Sequence, residues 1–589
     1  MRRSGLVAPA LYLALAFAMF ASAWRDPTYL SVGTAGDPEL YMWMLSWVPY
    51  SVTHGLNPFF TDFLLYPHGG NLLWSLIPIV PGFLLTPVLA LFGPVAGYNL
   101  TMTLALALSA WCAYLVIARL VEDRVAAFVG GLIFGFSPYM LAHALGHPNL
   151  VICLAPPLVL WILAELLVWR RRPAWQPGLA LGLVAGLQLL TTPEILFTTA
   201  FIGALGAIVI AALRWRDVAP RAMHVIAGFA VATVVFAVIA AYPLYFLYFG
   251  PQQVHGVVRE QDFFVTDLMN FVVPTDVQLI APHDLIAAAG PWTGGDAEWN
   301  GYIGVPLVAL LAFIAVRWRS SIVVMWSALV GAITAVLSLG PHLHLAGRIH
   351  FHIPLPWLAL QRLPLFDNVL PARLMLFFYL VAGIAVAVFI RDVRRSPVRW
   401  RRAAGWLWVG ASIAALLPAV PWTVTPNPVP AFFTGPEAQR IPAGSVALVA
   451  PFSTAPGFQL GPGQDSATYP MLWQLASGMR FKMPEGALDV QDVDGPPSGG
   501  RPPRSMTQTV LIAIDQGGPA PSLSAADRAS LLGELRSWDI GTVIVGPMYN
   551  QPEMLKFFDD LFDRPGQADA GVYVWWDVAP DISVPVSGS

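Results

Sequence analysis

Apolar residues in this chain fall in long unbroken runs rather than in the spaced stripes of a soluble core. Eleven runs, at roughly 6–24, 99–118, 126–144, 150–169, 176–192, 195–213, 223–248, 302–316, 321–339, 373–390 and 404–421, approach the length a helix needs to cross the hydrocarbon core. A twelfth stretch, Leu72 to Phe92, is equally apolar but carries Pro78, Pro81 and Pro87, each of which removes a backbone donor. It predicts short helices at the outer interface or dipping into the bilayer, where irregular backbone persists only if buried in protein or lining a cavity. From about Thr423 the pattern changes to short strand-like runs (Ser445 to Ala450, Thr509 to Ile514, Thr542 to Val545, Val572 to Trp576). These alternate with helical patterns at Ser524 to Arg536 and Glu553 to Phe562, as in a small α/β domain. The expected fold is thus a polytopic α-helical membrane protein of about eleven spans over residues 1–424, followed by an extracytoplasmic α/β domain over 425–589. A large first outer loop covers about 25–98.

Composition agrees: 56% of the 589 residues are hydrophobic and 11% charged, too apolar for a soluble protein of this size. The first run follows Arg2-Arg3 and ends at Ala21-Ser22-Ala23, like a signal peptide, but cleavage would release a chain still full of spans, so a retained helix is expected. With the N-terminus inside, the cytoplasmic segments hold eighteen arginines, among them Arg119, Arg124, Arg170 to Arg172, Arg214, Arg216 and Arg221. The outer loops up to residue 425 hold five: Arg25, Arg259, Arg348, Arg362 and Arg373. This is a positive-inside bias, and counting Leu72 to Phe92 as a span would invert it. Cys112 and Cys153 lie in apolar stretches and read as small buried hydrophobes. No Rossmann fingerprint, phosphate-binding loop, metal-spaced Cys/His set or internal repeat occurs, and no nucleic-acid partner is expected.

With sidedness set, the outer polar residues become candidates, because an ionisable group near the membrane marks a functional site by default. Asp37 and Glu39 open a helical stretch in Gly36-Asp37-Pro38-Glu39-Leu40-Tyr41. Asp37 also suits an N-cap for a helix from Glu39 to Val52, and Glu39 also suits that helix's dipole. His68 sits in the turn-rich Tyr66-Pro67-His68-Gly69-Gly70-Asn71, and His147 and Asn149 in Gly146-His147-Pro148-Asn149. Glu194 follows Pro193 at a helix start, where a capping role competes with a site. The next loops add His255, Arg259, Asp262, Asp267 and Glu298, then Arg373. Arg259 and Arg373 face outward against the charge bias, which points to anion binding, since the planar fork of arginine holds two phosphate oxygens; a surface ion pair or a lipid contact is the alternative. His342, His344, His350 and His352 fall in a proline-rich segment, and no metal is assigned to them.

On Gly36-Asp37-Pro38-Glu39, Glu298-Trp-Asn-Gly-Tyr302-Ile-Gly-Val-Pro306 and Leu363-Pro-Leu-Phe-Asp367-Asn-Val-Leu-Pro-Ala-Arg373, residues 1–425 resemble the GT-C superfamily of membrane glycosyltransferases. That resemblance implies a polyprenyl-phosphate-linked sugar donor, membrane lipids around it, and a glycan, lipid or protein acceptor at the outer face. Members often carry a second acidic motif after the third span. Here that loop reads His143-Ala-Leu-Gly-His147-Pro-Asn149 without a carboxylate, so a divalent cation stays open but is not favoured. The implied chemistry is inverting transfer, with Asp37 as general base, Glu39 and Glu194 as accessory acids, and His68, His147, Asn149, Arg259, Glu298, Tyr302 and Arg373 binding substrate. Two other classes remain open: a secondary transporter or lipid-linked glycan flippase, and a non-catalytic assembly protein that uses the outer domain as its contact.

Overall fold

The computed structural model describes residues 6–253, 260–452, 468–488 and 504–578. In chain order its first helices are α1 (Val7–Met19), α2 (Asp37–Thr53), α3 (Ile79–Leu84), α4 (Thr86–Val121), α5 (Arg124–Gly135), α6 (Pro138–His143), α7 (Pro148–Val151) and α8 (Ala155–Ala164), which continues into a π-turn at Glu165–Trp169. They are followed by α9 (Trp175–Leu189), α10 (Pro193–Leu213), α11 (Trp215–Val218), α12 (Ala222–Phe249), α13 (His283–Ala289), α14 (Val305–Arg317) and α15 (Ile322–Ser338). Then come α16 (Trp357–Leu360), α17 (Met375–Arg395), α18 (Arg399–Leu416), α19 (Ala431–Thr434), α20 (Tyr469–Ala476), α21 (Met506–Asp515), α22 (Ala525–Ser537) and α23 (Gln551–Phe562). Each of the eleven apolar runs carries helix. Among the described residues, five helices are long and apolar enough to cross a membrane: Thr86–Val121, Pro148–Trp169, Pro193–Leu213, Trp215–Phe249 and Pro371–Arg395. Large apolar side chains such as Met223, Val238, Val316 and Leu407 stand exposed on them and on their shorter neighbours. Water disfavours such a surface and hydrocarbon accepts it, so this is a membrane protein.

The chain divides into two compact units. The helical unit comprises residues 1–25, 99–242 and 257–423. At its heart α17 is buried along its whole apolar length, from Met375 to Ile390, between α5 and α15. Close approach is possible because Gly130 of α5 faces Gly383 of α17: a Cβ on either would meet the other's carbonyl oxygen, at 2.7 and 2.5 Å. Small residues at such crossings are the usual means of tight packing between membrane helices. Two strands here, β4 (His342–Leu345) and β5 (Arg348–Pro354), form an antiparallel hairpin. The tight turn has Ala346 and Gly347 at positive φ, and the Asp267 carboxylate accepts both their N–H groups, at 3.0 and 2.8 Å. The histidine-rich segment is therefore a sheet, and its alternating pattern is that of a strand.

The second unit is assembled from residues 26–98, 243–256 and 424–589. Strand β1 (Leu30–Val32) pairs antiparallel with β6 (Val424–Pro426), and β2 (Phe60–Thr61) with β3 (Gly70–Asn71). Helix α2 is buried over most of its surface, including Trp43 and Trp47, and packs on α3 and α20. The Trp43 indole N–H donates to Gln474 Oε1 at 2.7 Å, while the Gln474 amide donates to the carbonyls of Phe63 and Phe481. The apolar stretch after Leu72 forms two short helical pieces, α3 and the start of α4, which breaks at Gly93 with φ 82°. The tail carries a four-stranded sheet in the order β7 (Val446–Ala450), β8 (Ile540–Val545), β10 (Val572–Trp575), β9 (Gln567–Asp569). Strands β7 and β8 run parallel and the other pairs antiparallel, over a core that includes Leu511, Leu535, Phe557 and Trp575.

One expected strand is a helix. Thr509 to Ile514 lies in α21, because Ser505 caps it: the Ser505 hydroxyl accepts from the Gln508 N–H at 3.2 Å, and Gln508 Oε1 accepts from the Ser505 N–H at 3.1 Å. The Glu534 carboxylate takes the next two N–H groups, of Met506 and Thr507. A capping box and a buried Leu511/Ile514 face outweigh the strand preference of the β-branched run.

Candidate functional site

Candidate residues gather in each unit. In the second unit, α2 begins at Asp37 itself; Gly36, with φ 115°, holds the cap position in a conformation that favours glycine. The capping contact comes from Glu39, whose Oε2 accepts the Gly36 N–H at 2.8 Å. Asp37 is therefore a first-turn residue, half-buried, and does not take the N-cap position that its sequence also suited. Glu39 is wholly buried, and that burial pushes its carboxyl up to about 7. The N–H groups of Gly36 and Glu39 and the Thr468 hydroxyl offset part of that rise, while Asp37 adds to it. The two acids thus differ in burial: Asp37 is half-buried and Glu39 wholly so. His68 is exposed, and its backbone carbonyl accepts from the Gln252 amide at 3.5 Å.

In the helical unit, three predicted residues meet. Arg373, on the short turn before α17, donates through Nη1 to Glu194 Oε2 at 2.5 Å. Its Nε and Nη2 both reach Glu298 Oε1, at 3.0 and 2.5 Å. Glu194 lies in the first turn of α10, Glu298 in the loop before α14, and all three side chains are nearly closed to solvent. Both edges of the guanidinium fork are thus occupied by carboxylates, and the trio carries one net negative charge. His143 approaches the same carboxylate, Nε2 to Glu298 Oε2 at 4.0 Å, with the Asn300 amide 3.5 Å from that nitrogen.

Around the trio stands a shell of buried polar atoms. Tyr139 Oη, His143 Nδ1, Asn149 Oδ1 and Asn300 Oδ1 make no hydrogen bond among the described residues. Asn149 is anchored by its backbone, whose carbonyl accepts the Thr192 hydroxyl at 2.7 Å. Tyr302 is buried, and its carbonyl accepts the Tyr379 hydroxyl at 2.6 Å. His147 caps α7, its ring edge-on to that of His143 with centroids 5.7 Å apart. Arg259 and His255 lie outside the described residues. Tyr139 and Asn300 were not among the candidates; for Tyr139 the signal was its place four residues before His143, which puts both on one side of α6. Among the described residues no group of three or more His, Cys, Asp or Glu is gathered closely enough to hold a metal ion.

This architecture is shared with a solved membrane glycosyltransferase. Over 98% of this chain the fold matches the arabinofuranosyltransferase AftD from Mycobacteria, with a TM-score of 0.55 and 14% identity. The chain spans 41% of AftD's length. More distant likenesses are to the oligosaccharyltransferase AglB from Archaeoglobus fulgidus, solved with an inhibitory peptide and a dolichol-phosphate (TM-score 0.43, 10% identity, 92% of this chain and 69% of that one). Another is to ArnT from Cupriavidus metallidurans bound to undecaprenyl phosphate (TM-score 0.38, 13% identity, 69% of this chain and 62% of that one). The fold is therefore one that this chain shares with AftD. By sequence the chain belongs to the DUF6311 family, a domain of unknown function whose model matches residues 9–368. No curated protein sequence matches it.

Proposed function

We propose that this protein is a membrane glycosyltransferase that moves a sugar from a polyprenyl-phosphate donor to an acceptor hydroxyl at the outer face of the membrane, with inversion. The observation that carries the reading is the acidic start of α2: a half-buried Asp37 in the first turn of a helix whose N-terminus the buried Glu39 clamps through the Gly36 N–H. The shared fold supports the reaction class, and the sequence resemblance supports the donor class. Asp37 takes the acceptor proton as the hydroxyl oxygen attacks the anomeric carbon. The new C–O bond forms as the bond to the phosphate oxygen breaks, and its electron pair leaves with the polyprenyl phosphate. Positioning of the two substrates supplies much of the acceleration, so a carboxylate of ordinary basicity suffices. Arg259 is assigned to the leaving phosphate, while Arg373 holds Glu194 and Glu298 in place. His68, His147, Asn149 and Tyr302 complete the substrate-binding set.

The test is transfer of radiolabelled sugar by purified protein across a panel of polyprenyl-phosphate donors. Asp37→Asn is expected to lower transfer by at least about 10²-fold with unchanged expression. Near-normal transfer by that variant would remove Asp37 from the role. A transporter or lipid-linked glycan flippase is the second reading, favoured by the buried Arg373–Glu194–Glu298 cluster, since charge buried among membrane helices also marks transport pathways. Substrate movement by reconstituted protein, with no sugar transferred, would select it.

A further inference from the structure

A groove of about 350 Å³ runs along the helical unit between the end of α4 and helices α8, α10, α15 and α17. Its walls are aliphatic and aromatic, with Leu163, Ile202, Trp326 and Ile384 among them. The charged residues of its lining sit at helix ends: Arg119 and Glu122 close α4, and Arg171 follows the π-turn that ends α8. Along α10 the lining extends from Thr199 to Ile210, about 17 Å at 1.5 Å per residue. That is close to one leaflet, half of a hydrocarbon core of about 30 Å.

The polar end is prepared for an anion. The Arg171 guanidinium stacks over Trp169, 5.2 Å from the ring centroid, and its backbone N–H is held by Glu165 Oε1 at 2.5 Å. The free carbonyls of the π-turn are already satisfied, because Arg221 donates to Leu167 O at 2.7 Å and Val168 O at 2.5 Å. Neither Arg119 nor Arg171 pairs with a carboxylate among the described residues. Two guanidinium groups and the Glu122 carboxylate leave one net positive charge, which matches a single phosphate diester. We propose that this groove is a binding site for a monoanionic glycerophospholipid of the phosphatidylglycerol type. One acyl chain lies along α8 and α10, and the headgroup phosphate is held by Arg119 and Arg171. Basic pockets between membrane helices recognise anionic headgroups in this way, and arginine forks bind phosphate oxygens in pairs. The inference is independent of the transfer reading.

Native mass spectrometry of the delipidated full chain, titrated with phosphatidylglycerol, phosphatidylethanolamine or phosphatidylcholine, tests it. One phosphatidylglycerol is expected to remain bound, preferred over the other two on the order of tenfold. The double variant Arg119→Gln/Arg171→Gln, exposed positions that the fold does not need, should erase that preference. Ala207→Trp, which fills the groove, should remove retention with both arginines intact. Equal retention of the three lipids, an unchanged preference in the double variant, or stronger retention of a polyprenyl phosphate by the same groove would overturn the proposal.

Discussion

At the scale of single residues, Arg373 decides the state of two acids. With it present, Glu194 and Glu298 share a cation in a buried setting; without it they become two uncompensated buried charges. Breaking a buried pair by removing one partner typically costs about 3–5 kcal/mol. Arg373→Ala is expected to lose stability of that order, read as a fall in thermal unfolding temperature in detergent. Adding Glu194→Gln and Glu298→Gln should recover most of it. Glu39 makes a prediction of different sign. Its folded-state pKa lies above the ordinary glutamate value, at about 7, so the folded chain binds the proton more tightly than the unfolded one. The associated stability is fully present below about 4.5 and is lost as pH rises through 7. Glu39→Gln keeps the acceptor for the Gly36 N–H and should flatten the dependence of unfolding temperature on pH between 4.5 and 7. The variant should also be the more stable form at pH 8.

At the scale of elements, the tightest constraint is the crossing of α5 and α17, where two glycines leave room for each other's backbone. Gly383→Leu is expected to force the helices apart and cost about 1–3 kcal/mol. A sharply reduced yield of monodisperse protein, with Gly405→Ala on α18 as a milder comparison, would register it. The apolar runs made these helices legible, because a hydrocarbon-facing helix needs only length and composition. The hairpin of β4 and β5 and the helix α21 were less so. His342-Leu-His344-Leu alternates as a strand should, but prolines nearby suggested loop, and the stabilising acceptor, Asp267, lies some eighty residues earlier. Thr509 to Ile514 has strand composition, and only its cap at Ser505, with Glu534 from α22, turns it into a helix. Of the candidate site, Glu194, Glu298 and Arg373 were each legible as candidates from the outer placement the charge bias predicts. Their pairing was not, because it depends on three segments brought together by tertiary packing.

At the scale of the whole molecule, the second unit draws on both ends of the chain. Residues 26–98 supply α2 with Asp37 and Glu39, and residues 424–578 supply the strand, glutamine and lysine that hold that loop. Beyond the Trp43–Gln474 bond, β6 pairs with β1, and Lys482 Nζ reaches Asp62 Oδ2 at 2.5 Å. The tail is therefore a structural part of the loop that carries Asp37. Expression of residues 1–423 alone is expected to give protein without transfer activity and with α2 open to protease. Co-expression of 424–589 as a separate chain should restore protection, and protection in the truncated protein would show that the loop folds unaided.

The bond between Trp43 and Gln474 joins residues 431 positions apart. A ribosome must make 474 residues before the amide that seats this indole exists, so the first loop waits, its tryptophans unsheltered, while the helices from α4 to α18 are made. Closing so long a loop is slow, and the interval leaves a greasy, unfinished surface available to any chaperone that reaches it.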